Sequence, residues 1–472
     1  MSAPTPLPGD LRRDDAPMTP TDRRAMAAIM LAVALATLDT AIANTALPAI
    51  AADLHAAPAA SVWIINAYQL AMVATLLPLA ALGDILGHRR IYITGIAVFT
   101  LASLACSVVS TLPMLTAARV LQGLGASAIM SVNTALIRYL FPPHRLGRGL
   151  GVNALVVGVS FAVGPTVASL ILSVASWPWL FAVNVPLGVI ALTFALPALP
   201  QTKRGTHHFD RVAALLNVIT FAALIFALGE AAQRAPAQAV LGAAAIALVF
   251  GLLLIRRESG HPAPMLPVDL FRLPVFALSA VTAVCSFAAQ GLAFVSLPFY
   301  FEDVLHRSQV ETGFLMTPWP VVVALAAPIA GRLSDRYPPG LLGAIGLAIL
   351  SAGMASLALL PPYPHVIDIA IRMAVCGAGF GFFQSPNLKA LMASAPPERS
   401  GGASGIIATA RLLGQTTGAA LVALSFGIAG RHGPTLALST GAVFAGAAAV
   451  ASGLRLFAPS HRASGHVGTA TK

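Results

Sequence analysis

The chain has 472 residues, of which 57% are hydrophobic and 10% charged, and its 28 Lys and Arg against 17 Asp and Glu leave a net charge of +11. Soluble domains carry about 25% charged residues, so a chain this apolar cannot cover a water-facing surface; disordered, collagen-like and coiled-coil chains are excluded too, because polar tracts, Gly-X-Y periods and charged heptads are missing. The apolar surplus must face lipid, which makes this a polytopic membrane protein.

A membrane helix needs about 20 largely apolar residues, and runs of that kind fall at about 25–50, 61–83, 91–110, 113–139, 148–174, 178–198 and 212–229. Seven more follow at about 236–255, 274–299, 313–334, 340–360, 365–392, 401–428 and 433–457, which predicts fourteen spans. Ala, Leu, Val and Gly dominate them and two-residue alternation is absent, so the predicted fold is all-α rather than a barrel. The first run is too long for the apolar core of a cleaved leader and is expected to stay as span 1.

In chain order, the tail 1–24 leads into span 1, whose segment Leu38–Pro48 holds Asp39 at mid-depth, then Asn44 and Pro48. An ionised carboxylate at that depth is costly unless it faces water or a partner, and it marks a function by default. Span 2 ends in Gly83-Asp84, followed by Gly87, His88, Arg89 and Arg90. A carboxylate at a helix end, a turn glycine and a basic cluster suit a gate on one face of the membrane. Arg138, at the same end of span 4, is the expected partner of Asp84.

Span 4 carries Arg119, Gln122, Gly123, Gly125 and Ser127. An intramembrane Arg must pair or face a cavity, Gln122 shares its helix face at i+3, and the small residues permit close helix approach. Span 5 holds Gly151, Gly158 and Gly164-Pro165, where the proline removes a backbone hydrogen bond and allows a kink. Spans 7 and 8 contain few polar residues.

Three landmarks then recur. Asp335, in Gly331-Arg332-Leu333-Ser334-Asp335-Arg336, follows Asp84 by 251 residues, Arg372 follows Arg119 by 253, and Arg399 follows Arg148 by 251. The expected organisation is a six-span half over 25–198, a loop with two inserted helices over 199–272, a second six-span half over 273–457, and a tail over 458–472. Parallel six-span repeats point to a transporter whose halves rock about a midplane site.

Of the 28 Lys and Arg, 22 fall on tails and loops of one face, three (Arg234, Arg307, Arg431) on the other, and three (Arg119, Arg372, Arg411) within apolar runs. This bias places both termini in the cytoplasm and accounts for the basic charge without nucleic acid. Cys106, Cys285 and Cys376 sit in apolar runs without metal spacing and read as buried thiols. Asn44, Gln69, Gln122, Gln290, Gln384, Asn387 and Arg411 are candidates for a substrate cavity, with Tyr68, Trp319, Phe380 and Phe383 as aromatic wall. Trp63, Trp177 and Trp179 sit near span ends as interfacial anchors. No phosphate-binding loop, metal constellation or Ser/His/Asp grouping supports an ATP-driven pump or an enzyme. Midspan acids are too scarce for a dicationic substrate, while Arg119 leaves weak acids open.

The order LDxxxxNxALP, GDxxGxRR, RxxQGxGA and Gly-Pro on spans 1, 2–3, 4 and 5 resembles the major facilitator superfamily, and fourteen spans resemble its drug:proton antiporter (multidrug-resistance exporter) branch. The resemblance implies proton-driven export of amphipathic small molecules across the inner membrane, with no cofactor beyond the proton gradient and no chemistry performed. A single-metabolite importer or exporter of the same fold is the alternative. Asp39 and Arg119 match the family's proton-coupling pair. Gly83, Asp84, Gly87, Arg89 and Arg90 match its gating loop, with Gly331, Asp335 and Arg336 as the second copy, and Gly164-Pro165 its antiporter signature. Ala41, Ala80, Ile85, Ser160, Ala168 and Ser169 depart from the family pattern. Lipid, protons and a small-molecule substrate are the expected partners, and a monomer is compatible with the sequence.

Overall fold

The computed structural model describes residues 18–141, 146–202, 209–232, 235–259, 268–394 and 400–457. Arg234 and Arg399 lie outside these residues, as do most of both tails. Among the described residues thirteen helical stretches are long and apolar enough to cross a membrane. The last, Gly405–Leu454, has 50 residues, about 75 Å of helix against a hydrocarbon core of about 30 Å. It folds back at the turn Gly430–His432, where Gly430 takes a φ of +54°, so it contributes two spans and the total is fourteen.

Spans 1 to 6 are Pro20–Asp53, Pro58–Leu86, His88–Val108, Leu112–Leu140, Leu146–Val174 and Pro178–Ala198. Spans 7 and 8 are Arg211–Ala232 and Ala237–Glu258. Spans 9 to 14 are Pro274–Val304, Gln309–Leu333, Pro339–Ala358, Val366–Ser394, Ser400–Ala429 and Gly433–Leu454. Each lies within a few residues of its predicted position. Local chemistry sets several ends. Thr19 caps span 1 through Asp22 with Pro20 in the first turn, and Ser308 caps span 10 through Glu311. Span 10 breaks at Thr317 before Pro318 and Pro320, which cannot donate backbone hydrogen bonds.

The two six-span halves repeat one packing pattern. Span 1 packs on 5 and 6, span 2 on 4, and span 3 on 4 and 6; spans 9 to 14 do the same in order. Span 7 leans against spans 2 and 13, tied to span 2 by Asn217 Nδ2, which donates to the Ala74 carbonyl at 2.7 Å. Span 8 packs chiefly on span 7 and is exposed over most of its length.

The halves meet differently at the two ends of the bundle. At the end opposite the termini, Ile42, Leu47, Leu292, Val295, Phe299 and Val422 form one apolar cluster across both halves. There Ser169 Oγ of span 5 donates to the Gln309 carbonyl of span 10 at 2.7 Å, and the Thr166 and Thr317 hydroxyls lie 2.9 Å apart. Nearer the end that bears Pro20 and Leu454, residues of both halves line a cavity.

Candidate functional site

Asp39, 1% exposed, sits where span 1 meets spans 4 and 6. Its Oδ2 accepts from Arg119 Nη1 at 2.5 Å; its Oδ1 accepts from Gln122 Nε2 at 2.8 Å and Asn184 Nδ2 at 2.9 Å. Three donors, one of them cationic, suit an ionised carboxylate. Arg119 is fully buried; Nη1 also donates to Gln122 Oε1 at 2.6 Å, and Nε to the Ile64 carbonyl at 3.2 Å. Gln122 Nε2 reaches Ser103 Oγ at 2.9 Å. The guanidinium lies 4.1 Å from the Tyr68 ring centre and 5.5 Å from that of Phe181, within cation–π range.

Two glycines allow this assembly. A Cβ on Gly123 would come within 2.4 Å of the Tyr68 carbonyl, so only glycine lets span 4 approach span 2 closely enough to seat Tyr68 over Arg119. A Cβ on Gly164 would meet the Ala41 Cβ at 2.3 Å, so Gly164 sets span 5 against span 1 two residues beyond Asp39.

Tyr68 also helps to line a cavity of about 670 Å³. The volume falls in the range of drug-sized ligand sites. Its walls come from both halves: Thr37, Thr40 and Gln69 from the first, Gln290, Gln384 and Arg411 from the second. Asn153 near the start of span 5 and Leu388 near the end of span 12 also line it, so the space extends toward the end that bears the termini. Phe161, Phe287, Trp319 and Phe380 supply aromatic wall, with Phe287 and Phe380 edge to face at 5.4 Å between centres.

The sequence candidates therefore separate. Gln69, Gln290, Gln384 and Arg411 line the cavity, with Gln415 Nε2 donating to Gln290 Oε1 at 3.1 Å. Gln122 belongs instead to the sealed Asp39 network, and Asn44 is buried away from the cavity wall. Asn387 faces a second buried network: its Oδ1 accepts from Arg455 Nη1 at 2.7 Å and its Nδ2 donates to the Ser279 carbonyl at 3.2 Å. Arg455, one of the 22 basic residues assigned from sequence to tails and loops of one face, is thus a packed residue of the second half, bonded also to Ser279 and Ser452. Trp319 and Phe380 line the cavity; Phe383 packs behind them in the core. Of the cysteines, Cys106 and Cys376 are buried but Cys285 is only half-buried.

In the loop after span 2, Asp84 pairs with His88 Nε2 at 3.0 Å, and Arg138 is exposed; among the described residues no ion pair joins Asp84 to Arg138. Gly87 takes a φ of +97° to make the turn. Arg89 donates to the Leu196 carbonyl at 2.5 Å, while Arg90 is exposed. In the second copy, Lys389 of span 12 holds Asp335 at 2.6 Å; Gly331 and Arg336 stand beside it without a part in that pair. Asn184 is the residue missed from sequence; the signal available was one amide in the otherwise apolar run of span 6.

The family profile of the Major Facilitator Superfamily matches residues 29–419. The uncharacterized transporter YebQ of Escherichia coli is 53% identical over 93% of this chain and 96% of its own. The riboflavin transporter RibZ of Clostridioides difficile is 31% identical over 84% of this chain and 87% of its own. The multidrug resistance protein Stp of Mycobacterium tuberculosis is 30% identical over 82% of this chain and 72% of its own.

Proposed function

Since the chain belongs to the Major Facilitator Superfamily, we propose that it is a proton-coupled antiporter exporting amphipathic small molecules across the bacterial inner membrane, with both termini in the cytoplasm. The observation that carries this reading is the position of Tyr68, which lines the cavity and whose ring centre lies 4.1 Å from the guanidinium of Arg119, the partner of Asp39. A titratable carboxylate stands one ring away from the substrate space.

The arrangement works as an exchanger. With the cavity toward the cytoplasm, Asp39 is ionised and held by Arg119, Gln122 and Asn184, and substrate enters the aromatic wall. After the halves rock, a proton from the far side neutralises Asp39 and loosens the pair as substrate leaves. The loop-charge bias supports cytoplasmic termini. The multidrug resistance relative favours export of varied compounds over one fixed metabolite. The riboflavin transporter keeps the single-metabolite reading as the second.

Accumulation of a panel of dyes and antibiotics in an exporter-deficient bacterial host tests this. Expression should lower the level of at least one compound, a protonophore should restore it, and Asp39→Asn should abolish the effect. Accumulation above the vector control, or efflux indifferent to the protonophore and to Asp39→Asn, refutes proton-coupled export.

A further inference from the structure

Among the described residues, four of the five buried or half-buried arginines inside or ending the spans have bonded partners: Arg89 with the Leu196 carbonyl, Arg119 with Asp39, Arg372 with Asp368 and the Ser356 carbonyl, and Arg455 with Asn387 and Ser279. Arg411 differs. It lies in the cavity wall on span 13, and among the described residues no hydrogen bond or ion pair holds it. Among the described residues no Asp or Glu lines that cavity, and Arg411 is its one charged side chain. Two further cavity-wall groups are buried without partners, the Trp319 indole N–H and the Gln69 amide oxygen.

An unpaired guanidinium in a low-dielectric wall is costly to maintain, and it is most readily relieved by an oxyanion, which it meets with two parallel N–H donors. The same charge repels an organic cation, and no acid stands in the wall to offset it. The apolar remainder of a ligand would lie against Phe287, Phe380 and Trp319, with Gln290, Gln384 and Gln415 for its polar edges.

We propose that the substrate is an amphipathic organic monoanion, an aromatic acid or a compound of like chemistry, whose oxyanion is bound by Arg411. The proposal rests on the central cavity being the substrate site of an exporter. Exchange of one monoanion outward for one proton inward moves charge the same way twice, so an inside-negative potential adds to the proton gradient as the driving force.

The test is ligand-dependent thermal unfolding of the full chain, purified in neutral maltoside detergent. The probes are matched one-, two- and three-ring series of carboxylate, primary amide and aminomethyl compounds, with 2-naphthoate, 2-naphthamide and 2-naphthylmethylamine as the two-ring set. At least one carboxylate should raise the melting temperature saturably and bind about tenfold or more tightly than its amide, with the amine weakest. Arg411→Gln should remove the preference, Arg411→Lys should keep part of it and serve as the folded control, and Arg411→Glu should turn it toward the amine. The proposal fails if an amine outbinds its carboxylate in the wild type, if no carboxylate binds, or if the carboxylate preference survives in Arg411→Gln. Stabilisation by phosphatidylglycerol alone, with none by the aromatic acids, assigns Arg411 to lipid and also overturns it. No gradient enters this assay, so its failure leaves proton-coupled export standing, and loss of protonophore sensitivity leaves the anion preference standing.

Discussion

In the first half, Asp39 of span 1 accepts from Arg119 of span 4, and both are sealed from solvent. The position 251 residues later, on span 9, is Gln290, which accepts from Gln415 of span 13. Arg372, the counterpart of Arg119, turns instead to Asp368 one helical turn away on the same span, at 2.9 Å. The halves thus share a helix packing and divide the electrostatics. A carboxylate changes charge with a proton and an amide does not, so of these two matched core positions only the one in the first half can store a proton.

The loops after spans 2 and 10 invert that relation. Lys389 of span 12 holds Asp335 across two spans, whereas Asp84, 251 residues before Asp335, is taken by its own neighbour His88. Arg138 stands 251 residues before Lys389 and is left exposed. The His88 ring, packed 6.1 Å from Tyr139, keeps the carboxylate within its own loop.

The largest expected effect comes from breaking the core asymmetry. Asp39→Asn or Arg119→Gln alone leaves a buried charge without its partner, and each should lose transport and about 3–5 kcal/mol of stability. The double variant Asp39→Asn/Arg119→Gln should recover most of the melting temperature and none of the transport. Recovery of transport with the pair removed would place coupling elsewhere.

A smaller effect tests the loops. Asp84 and Arg138 should pair when the bundle closes at the termini end, so Asp84→Arg and Arg138→Asp should each lower efflux by about two- to fivefold, the scale of an exposed ion pair. The swapped double variant should regain part of that loss; a swap as impaired as the single variants, at equal expression, removes the pairing.

The last, a stability effect without a change in transport, concerns the insert, which has no counterpart in either half. Asp210 Oδ1 accepts from the Val212 and Ala213 N–H groups at 3.0 Å, and Arg257 Nε donates to its Oδ2 at 2.7 Å. The Arg257 hydrogen bond holds the Asp210 carboxyl below the usual carboxylate range, with its backbone hydrogen bonds acting the same way. A lowered pKa means stability present at neutral pH and lost as pH falls through the folded-state value. Asp210→Ala should cost about 1 kcal/mol at pH 7, the scale of a helix cap. The gap between wild type and variant melting temperatures should close on acidification below the ordinary carboxylate range, and a constant gap would contradict the assignment.

The spans and the Asp39–Arg119 pair were legible because lipid leaves charge nowhere to hide: an acid and an arginine in apolar runs, with a glutamine at i+3, already constrain one another. Asn184 was not legible, since one amide in span 6 carries no spacing that points to a residue 145 positions earlier. Arg455 misled for the opposite reason. Its place beside a polar tail matches an orientation charge, and only the packing of spans 9, 12 and 14 turns it inward. The amides of spans 9, 12 and 13 were all visible, but which of them face the cavity depends on helix rotation, and that is fixed by glycine contacts between spans.

Trp319 has a consequence for observation. Of the four tryptophans only this one lines the cavity, fully buried and 5.3 Å from the Phe294 ring. Trp63 and Trp179 sit toward span ends, and the Trp177 indole is fixed to Asp53 at 2.6 Å. The molecule therefore carries its own optical reporter: a change in intrinsic emission that disappears in Trp319→Phe tracks filling of the central space, without a label and without a membrane.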